Sequence, residues 1–263
     1  MGGGEESDEI TAEQLAVMVL PQDELGAPTG FEIDLDDSGR MNARDAADWT
    51  SDPRDSSPDL RQDGWFGGYE LTYSDPDSAV SFESGEGVIT GDSTVQLFDT
   101  GTSARARLLQ EIRDLERLRG KDLDGVRLAR FETFDLSVGD EAWGVELTAR
   151  ARGVTLHGAD VFFRSGRLVA DTGFLHVDEA GRRTEAVAAA RALESRIQRA
   201  LDGELDAEPV PLPGDEPELT QAQLSKMTLA LDDLPSGAIV TDQGREQHDG
   251  STSYYRSFDV SQT

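Results

Sequence analysis

Residues 11–25, TAEQLAVMVLPQDEL, return near the end of the chain as residues 220–234, TQAQLSKMTLALDDL. Both copies begin with the pattern T-x-x-Q, in which a threonine caps a helix and a glutamine three residues later completes a capping box. Leucine and methionine follow at helical spacing, and Pro21 ends the helix of the first copy. The repeat therefore predicts two units, each opened by a short capped helix.

The repeat and a proline-rich acidic segment predict the division of the chain into domains. The predicted parts are a flexible N-terminal tail (1–10), an α+β domain (11–203), a linker (204–218) and a partial second copy of the domain's N-terminal part (219–263). In that partial copy, Tyr254 and Phe258 correspond to Tyr69 and Tyr73. A piece of this length buries little core by itself, so we expect either that the second domain is truncated or that the piece docks on the main domain or on another chain.

Within residues 11–203, two helical patterns frame a run of strands. Residues 103–119 and 184–201 place apolar side chains on one helical face, and each pattern is followed by a glycine suited to a C-cap. Between them, turn signals separate four apolar runs, at 126–134, 143–150, 155–164 and 167–176. The predicted fold class is α+β: an antiparallel β-sheet meander packed by helices, with an N-terminal capped helix and a C-terminal closing helix.

Further strands are predicted before the first of these helices. Residues 65–73 alternate as a strand, and residues 79–82 and 94–98 are two more candidates. Between the latter two lie turn-forming stretches, of which the second is 91–93.

The composition excludes several classes of protein. The net charge of −29 argues against nucleic-acid binding, which requires clustered lysine and arginine, and equally against an anionic membrane surface. There is no cysteine, hence no disulfide, thiol nucleophile or cysteine–zinc site, and no apolar run long enough to span a membrane. All but two of the 24 basic residues are arginine, which fits a salt-adapted host or a GC-rich genome with an acidic secreted protein.

Residues 34–45, DLDDSGRMNARD, resemble a calcium loop of the EF-hand kind. The candidate metal ligands, at positions one, three, five, seven, nine and twelve of such a loop, are Asp34, Asp36, Ser38, Arg40, Asn42 and Asp45. Gly39 at position six would allow the sharp turn. The other interpretation is a turn at Ser38-Gly39 followed by a helix that has Asn42 as its N-cap. Calcium is the cofactor that the first interpretation predicts, and no other cofactor is indicated.

Trp65, Tyr69 and Tyr73 are the candidate ligand-binding residues. They alternate on one predicted strand, and aromatic side chains on one strand face can line a ligand groove. Alternating aromatics are also typical of a strand that faces the core.

Two D-T-G triplets, at residues 99–101 and 171–173, follow apolar runs. The first, in the context LFDTGTS, resembles the active-site strand of aspartic peptidases, in which two aspartates share a proton and activate water. This resemblance implies an alternative function, a carboxylate-dependent hydrolase that would use Asp99 and Asp171. In the other interpretation, residues 99–103 are a strand end with a helix N-cap, and residues 171–173 are a bend. The three histidines match no metal spacing, and His157 and His176 fall on neighbouring predicted strands.

The segments VGDEA (138–142) and FRSGRLVA (163–170), followed by an alanine-rich helix, resemble uncharacterised secreted lipoproteins of high-GC bacteria, with a PsbP-like or extracellular sensor-like domain. The resemblance implies an α+β domain that is tethered outside the cell, binds something and has no catalytic residues. The start MGGGEESDE also resembles the tether that follows the lipid-modified cysteine of bacterial lipoproteins, although a cloning scar or a disordered start has the same composition.

The function predicted from the sequence follows from these resemblances. We expect an extracytoplasmic, membrane-tethered lipoprotein that acts as a non-catalytic binding module and is stabilised by calcium if the loop at 34–45 is a metal site. Its predicted partner is an unidentified protein or small molecule, with no nucleic acid and with a lipid anchor in place of a transmembrane segment.

Overall fold

The computed structural model describes residues 10–41, 63–76, 87–123, 126–151, 153–177, 182–212, 238–248 and 251–260. The chain divides into two compact units, Met1–Val210 and Pro211–Thr263. This division falls inside the segment 204–218, which the sequence predicts to be a linker. In the part that the structure describes, no helix has the length and apolar character needed to cross a membrane.

The first unit contains helices and strands in an α+β arrangement. Its described helices are α1 (Ala12–Met18), α2 (Gln22–Leu25), α3 (Gly101–Leu118) and α4 (Arg183–Leu201). Its described strands are β1 (Glu32–Ile33), β2 (Gly39–Met41), β3 (Trp65–Ser74), β4 (Gly87–Phe98), β5 (Asp122–Leu123), β6 (Val126–Phe134), β7 (Glu141–Ala151), β8 (Val154–Ser165) and β9 (Leu168–Val177).

These strands form one antiparallel sheet. Their order is β1-β3-β4-β9-β8-β7-β6-β5, and β2 pairs with β3 outside this path. The chain leaves the sheet after β4, passes through α3, and returns through the meander β6 to β9, whose last strand pairs with β4. The predicted fold class, an antiparallel meander with a capped first helix and a closing last helix, is confirmed.

The capping box at the start of α1 forms as the sequence predicts. The Gln14 backbone N–H donates to Thr11 Oγ1 at 3.1 Å, and the Thr11 backbone N–H donates to Gln14 Oε1 at 2.8 Å. Two donors that a helix start leaves without intrahelical partners are thereby satisfied. The helix can then bury Leu15 and Met18.

Helices α1, α2 and α4 cover one face of the sheet, which we call the α4 face. Helix α4 buries Leu193, Ile197 and several alanines against β8 and β9. The short alanine side chains let its backbone approach the sheet closely. Arg196, 5% exposed, fastens the three helices together, because its Nε donates to Val17 O at 2.6 Å and its Nη1 donates to Glu24 Oε1 at 2.6 Å.

Helix α3 covers the other face, which we call the α3 face. Its Ala104, Leu108 and Ile112 pack in one cluster with Phe162 and Val169 of the sheet. Val169 pairs with Gln96 on β4. Ser93, three residues before Gln96, instead accepts the Leu20 N–H at 3.0 Å on the α4 face. Side chains alternate along a strand, so these pairings assign each residue of the central strands to one face.

Two turn predictions are wrong. Residues 91–93 lie inside the continuous strand β4, and residues 171–173 lie inside β9 rather than in a bend. Turn-forming residues are extended here because β4 pairs with β3 on one side and with β9 on the other. Gly91 suits this crowded position, since a Cβ there would lie 3.0 Å from the Phe174 ring. The predicted strand at 79–82 lies outside the described residues.

In the second unit, the structure gives the backbone of one hairpin, formed by β10 (Ala238–His248) and β11 (Ser251–Val260). Val240 pairs with Phe258 there, as Ile33 pairs with Tyr73 in the first unit. The repeat predicts such a likeness between the two hairpins. The recurring helix at residues 220–234 lies outside the described residues, so the duplication and the domain boundaries stay predictions.

Candidate functional site

A cavity of about 550 Å³ lies on the α3 face, between the sheet and the loop that leads into β2. We call it the acidic cleft. Its lining residues are Asp36, Asp37, Ser38, Gly39, Arg40, Met41, Glu70, Thr72, Thr90 and Asp92. A volume of this size is typical of sites for small ligands. The lining nevertheless differs from that of an apolar pocket, because four of these residues are acidic.

The floor of the acidic cleft continues across the sheet as two rows of directly paired residues. The first row, across β8, β9, β4 and β3, is Asp160, Gly173, Asp92 and Thr72. The second row, across the same strands, is Phe162, Asp171, Thr94 and Glu70. Directly opposite residues in antiparallel strands share a face. Four carboxyl side chains therefore lie together on the α3 face. We call Glu70, Asp92, Asp160 and Asp171 the carboxyl band.

Gly173 creates the space in which two of these carboxyls meet. A Cβ at Gly173 would lie 1.8 Å from Asp160 Oδ1, so the Asp160 carboxyl lies directly over this glycine. Asp92 pairs with Gly173 from the opposite side. Any larger residue at this position would push the Asp160 carboxyl away.

The carboxyl band is poorly hydrated, and this changes its protonation. Burial raises the pKa of Asp92 to about 7. Burial, and then the negative charge of Asp92, raise the pKa of Asp160 well above its usual range. Burial is also the main cause for Asp171, which is 4% exposed, and the charges of neighbouring carboxyls raise its pKa further. The raised pKa values favour the protonated form of these carboxyls unless a cation faces them.

Helix α3 brings one ion pair to the edge of the carboxyl band. Arg107 Nε lies 3.0 Å from Glu111 Oε1, and both side chains are largely buried. Burial raises the pKa of Glu111, while the Arg107 charge and a hydrogen bond from Gln96 lower it. The Glu111 charge in turn raises the pKa of Asp171. Arg107 thus compensates Glu111 and leaves the aspartates without a cation of their own in the described structure.

Several polar atoms next to the band have no hydrogen-bond partner in the described structure. They are Thr94 Oγ1, Gln96 Oε1, Arg107 Nη2 and Glu111 Oε2. Thr94 is 1% exposed and Gln96 is 2% exposed, so water does not reach them freely. A buried polar group without a partner costs roughly 1–3 kcal/mol and is rare in folded proteins. Such groups beside a cavity indicate a place where a ligand supplies the missing partners.

Of the predicted metal-binding residues that the structure describes, Asp36, Ser38 and Arg40 line the acidic cleft, and Asp34 does not. The Asp36 N–H donates to Asp34 Oδ1 at 3.1 Å, and Ser38 Oγ accepts the Thr72 N–H at 2.9 Å. Ser38 therefore joins the loop to β3, and Arg40 lines the cleft with its neighbours.

Asn42 and Asp45 lie outside the described residues. Among the residues that are described, no group of three histidine, aspartate or glutamate side chains is placed to hold a metal ion. The calcium loop stays a prediction.

The predicted ligand-binding aromatics lie in the core. Tyr69 is 6% exposed and Tyr73 is 2% exposed, and the Tyr73 hydroxyl donates to Leu20 O at 3.3 Å on the α4 face. Trp65, 6% exposed, lies in the cluster of the α3 face, because a register shift follows it in β3. Their burial favours the core interpretation, and none of the three lines the acidic cleft. Their role in ligand binding is untested and stays a prediction.

The two D-T-G triplets are not brought together. Asp99 is exposed at the end of β4, where hydrogen bonds from Ser103 and Thr100 lower its pKa. Thr100 is the N-cap of α3 and accepts the Ser103 N–H at 3.1 Å. Asp171 instead pairs with Thr94, five residues from Asp99, which corresponds to roughly 15 Å along a strand. This separation is too large for two carboxyls that share a proton.

The two histidines on neighbouring strands pair directly on the α4 face. The rings of His157 and His176 stack with centroids 5.7 Å apart. His176 is 1% exposed. Burial, and then the Arg182 charge, lower its pKa to about 4.

The carboxyl band was missed in the sequence, although one signal could have found it. Asp160, between Ala159 and Val161, and Asp171, after the apolar run 168–170, lie inside predicted strands, where aspartate is disfavoured. Asp92 was hidden in a predicted turn. Aspartate and glycine have low β-strand preference, so their recurrence inside neighbouring strands departs from what local sequence favours. Such departures are expected at functional sites.

No family model and no curated protein matches the chain. Among solved structures, the chain is similar to the crystal structure of the extracellular domain of PknH from Mycobacterium tuberculosis. The match has 14% sequence identity and a TM-score of 0.47, and it covers 72% of this chain and 97% of that one. That neighbour is described as an extracellular domain. A likeness at this level says nothing about what this chain binds.

Proposed function

We propose that the chain is an extracytoplasmic, non-catalytic binding module and that its ligand occupies the acidic cleft. The cleft itself supports the proposal: a cavity of about 550 Å³ whose floor is the regular surface of a sheet. A site built on strands is held more precisely than one built on loops alone.

The buried polar atoms without hydrogen-bond partners next to the cleft favour a ligand site over a layer of polar side chains that has only a structural role. Thr94 Oγ1 and Gln96 Oε1 are buried without partners, and a structural layer would be expected to satisfy them internally. A ligand with hydrogen-bond donors would remove this cost on binding.

A binding role is favoured over the hydrolase alternative. The two aspartates of the D-T-G triplets lie far apart in the fold, and Asp99 caps a helix start instead of facing the cleft. We therefore assign no catalytic residue and place the ligand, a small molecule or a protruding side chain of a protein partner, in the acidic cleft.

The location outside the cytoplasm is part of the proposal. The glycine-rich and acidic start of the chain has the composition of a lipoprotein tether, and we propose that the native protein is lipid-anchored. Detergent phase partitioning and intact mass of the native protein test this, with a lipid adduct in the detergent phase as the expected result. A native protein of unmodified mass in the aqueous phase would contradict it.

Calcium is a second part of the proposal that can be measured directly. If Asp34 and Asp36 belong to a calcium loop, saturating Ca²⁺ should raise the melting temperature. The same addition should not affect an Asp34→Ala variant. Magnesium provides the ionic-strength control, and an equal shift with both ions would argue against a specific loop.

The ligand proposal is tested by a thermal-shift screen of small molecules against the wild-type protein and a Thr90→Phe variant. Thr90 is half-buried and lines the acidic cleft, so phenylalanine there should fill part of the cavity. Compounds that raise the wild-type melting temperature should lose this effect in the variant.

A matched control is Thr133→Phe, which adds the same ring at an exposed position of β6 away from the cleft. This control should keep the response of the wild type. Ligands that bind the Thr90→Phe variant as well as the wild type would place the binding site elsewhere.

A further inference from the structure

The first row of the carboxyl band offers a place for one positively charged group. Asp160 lies over Gly173, and Asp92 approaches Gly173 from the other side. Asp92 also lines the acidic cleft, so a ligand in the cleft can contact its carboxyl, while Gly173 and Asp160 adjoin Asp92 from outside the cleft lining. Two carboxyls that flank a residue without a side chain form a recess with acceptors on both sides.

The second row adds hydrogen-bond acceptors next to this recess. Asp171 and Thr94 are paired neighbours, 4% and 1% exposed, and Thr94 Oγ1 has no partner. Gln96 Oε1, two residues further along β4, is also buried and without a partner. Gln96 Oε1 is an amide oxygen and requires a donor, whereas the Thr94 hydroxyl can either accept or donate a hydrogen bond.

The charges around the recess favour a cation. The sheet contributes Glu70, Asp92, Asp160 and Asp171. Helix α3 contributes Glu111, whose charge acts on Asp171, and Asp114 lies beside Glu111. The described cation beside them, Arg107, is engaged by Glu111, and Arg117 on the same helix pairs with Asp114. At the cleft mouth, Arg40 is accompanied by Asp36 and Asp37. The surroundings of the recess thus carry an excess of acid.

We propose that the acidic cleft recognises an organic cation, an ammonium, amidinium or guanidinium group, which is held between Asp92 and Asp160 with Asp171 behind them. This inference rests on the proposed ligand site and names the class of ligand. A metal ion is the less suitable occupant, since no group of three ligating side chains converges in the described residues. A planar group with several N–H donors matches spread-out acceptors better than a point charge does.

Binding of a cation would release protons, and this gives the inference a specific signature. The pKa of Asp92 is raised to about 7 in the free protein, so the recess is partly protonated at pH 6. A bound cation stabilises the carboxylate and lowers that pKa. The ionisation of Asp92 alone should consequently raise the affinity about tenfold between pH 6 and pH 8, and a proton released from Asp160 or Asp171 would add to this rise.

The test compares three nearly isosteric probes: benzamidine, which is cationic, benzamide, which is neutral, and benzoate, which is anionic. Isothermal titration calorimetry at pH 7.5 should detect benzamidine binding at least tenfold stronger than that of either other probe. Repeating the titration in buffers of different ionisation enthalpy should show proton release near pH 7. Equal binding of benzamidine and benzamide, or the absence of proton release, would overturn the inference.

Variants locate the effect. Asp92→Asn and Asp160→Asn keep the side-chain shape and should each weaken benzamidine binding at least tenfold. Asp135→Asn makes the same change at an exposed loop position and should leave the affinity unchanged. Thermal unfolding of each variant verifies that it is folded, and the proton release of the wild-type protein tests the inference independently of any variant.

The outcomes separate this inference from the proposed function. If benzamide or benzoate binds and Thr90→Phe blocks it, the cleft is a ligand site and only the cationic class is wrong. If none of the three probes binds the wild-type protein at millimolar concentration, the inference fails, and the proposed function is then decided by the wider screen. Benzamidine binding that survives both Asp→Asn substitutions would place the cation outside the carboxyl band.

Discussion

The α4 face and the α3 face of the sheet are both covered by long helices, but they bury different groups. On the α4 face, Leu193 and Ile197 are fully buried with alanines between them, and Arg196 satisfies two acceptors at once. On the α3 face, apolar packing by Leu108 and Ile112 ends at a band of carboxyls and unpartnered polar atoms.

The difference between the two faces indicates that they have different roles in the protein. Apolar burial of the α4 kind stabilises a fold by about 25 cal/mol per Å², whereas buried like charges and unsatisfied acceptors reduce stability. Groups that lower stability are retained where a function such as ligand binding depends on them. The α4 face is thus the stabilising face, and the α3 face is the one that carries the candidate site.

The largest expected effect comes from breaking the stabilising face. Leu193→Ala removes a fully buried side chain and should lower the free energy of unfolding by about 3 kcal/mol. Leu201→Ala on the same helix, where the side chain is 38% exposed, should cost about 0.5 kcal/mol or less. Urea unfolding measures both, and equal losses would contradict the assignment of α4 to the core.

A substitution in the carboxyl band should raise the free energy of unfolding, whereas Leu193→Ala lowers it. Asp171→Asn cannot ionise and should stabilise the free protein at pH 8 by about 2 kcal/mol, because burial disfavours the ionised carboxyl that the unfolded chain prefers at this pH. The sign depends on pH: a carboxyl whose pKa is raised by folding contributes most at low pH, and this contribution is lost as pH rises through the folded pKa. The gain should shrink as the pH falls and vanish below about pH 4, near the ordinary pKa of an aspartate in the unfolded chain. A loss of stability at pH 8 would show that Asp171 is satisfied as a charge.

The dependence of stability on acid pH tests the burial of His176 on the α4 face. Its pKa is lowered to about 4 by burial and by the Arg182 charge, so the folded state keeps it neutral while the unfolded chain takes up a proton below about pH 6.5. Stability should therefore fall as pH decreases from 6.5 to 4. His176→Phe should reduce this loss of stability by about 1 kcal/mol at pH 5. The measurement compares the free energy of unfolding of the variant and of the wild-type protein at pH 5 with their values at pH 7.5. An unchanged acid slope would contradict the burial of this ring.

The smallest expected effect concerns an exposed ion pair on the α3 side. Arg105 Nε lies 2.6 Å from Glu141 Oε2, joining α3 to β7 with Arg105 56% exposed. Exposed pairs of this kind contribute little to stability because water and salt screen them, so Arg105→Gln should hardly change the urea midpoint. A loss near that of Leu193→Ala would mean that α3 depends on polar contacts more than on its apolar face.

Much of the fold could be predicted because its signals are local. The capping box of Thr11 and Gln14, the N-cap at Thr100 and the apolar face of α4 each depend on residues a few positions apart. The meander was predictable for the same reason, since each of its strands pairs with the next one along the chain.

The candidate site was not predictable in this way, because pairing between distant segments builds it. Gly91, Asp92 and Ser93 favour a turn in isolation, yet β3 and β9 hold them extended from both sides. The meeting of Asp92 with Asp160 depends on Gly173 in a third strand. No local pattern contains that information. The sequence instead directed attention to Tyr69 and Tyr73, whose aromatic alternation proved to be a feature of buried packing.

Arg196 also has a consequence for the order in which the protein folds. Its side chain forms hydrogen bonds to Val17, which lies 179 residues earlier in the chain, and to Glu24, which lies 172 residues earlier. Helix α4 can therefore pack against α1 and α2 only after residue 196 has been synthesised. During synthesis, the layer that holds Leu20 and Tyr73 must wait for α4 to leave the ribosome. Long-range closure of this kind slows folding, and a chain interrupted before residue 183 would present that apolar layer to other proteins.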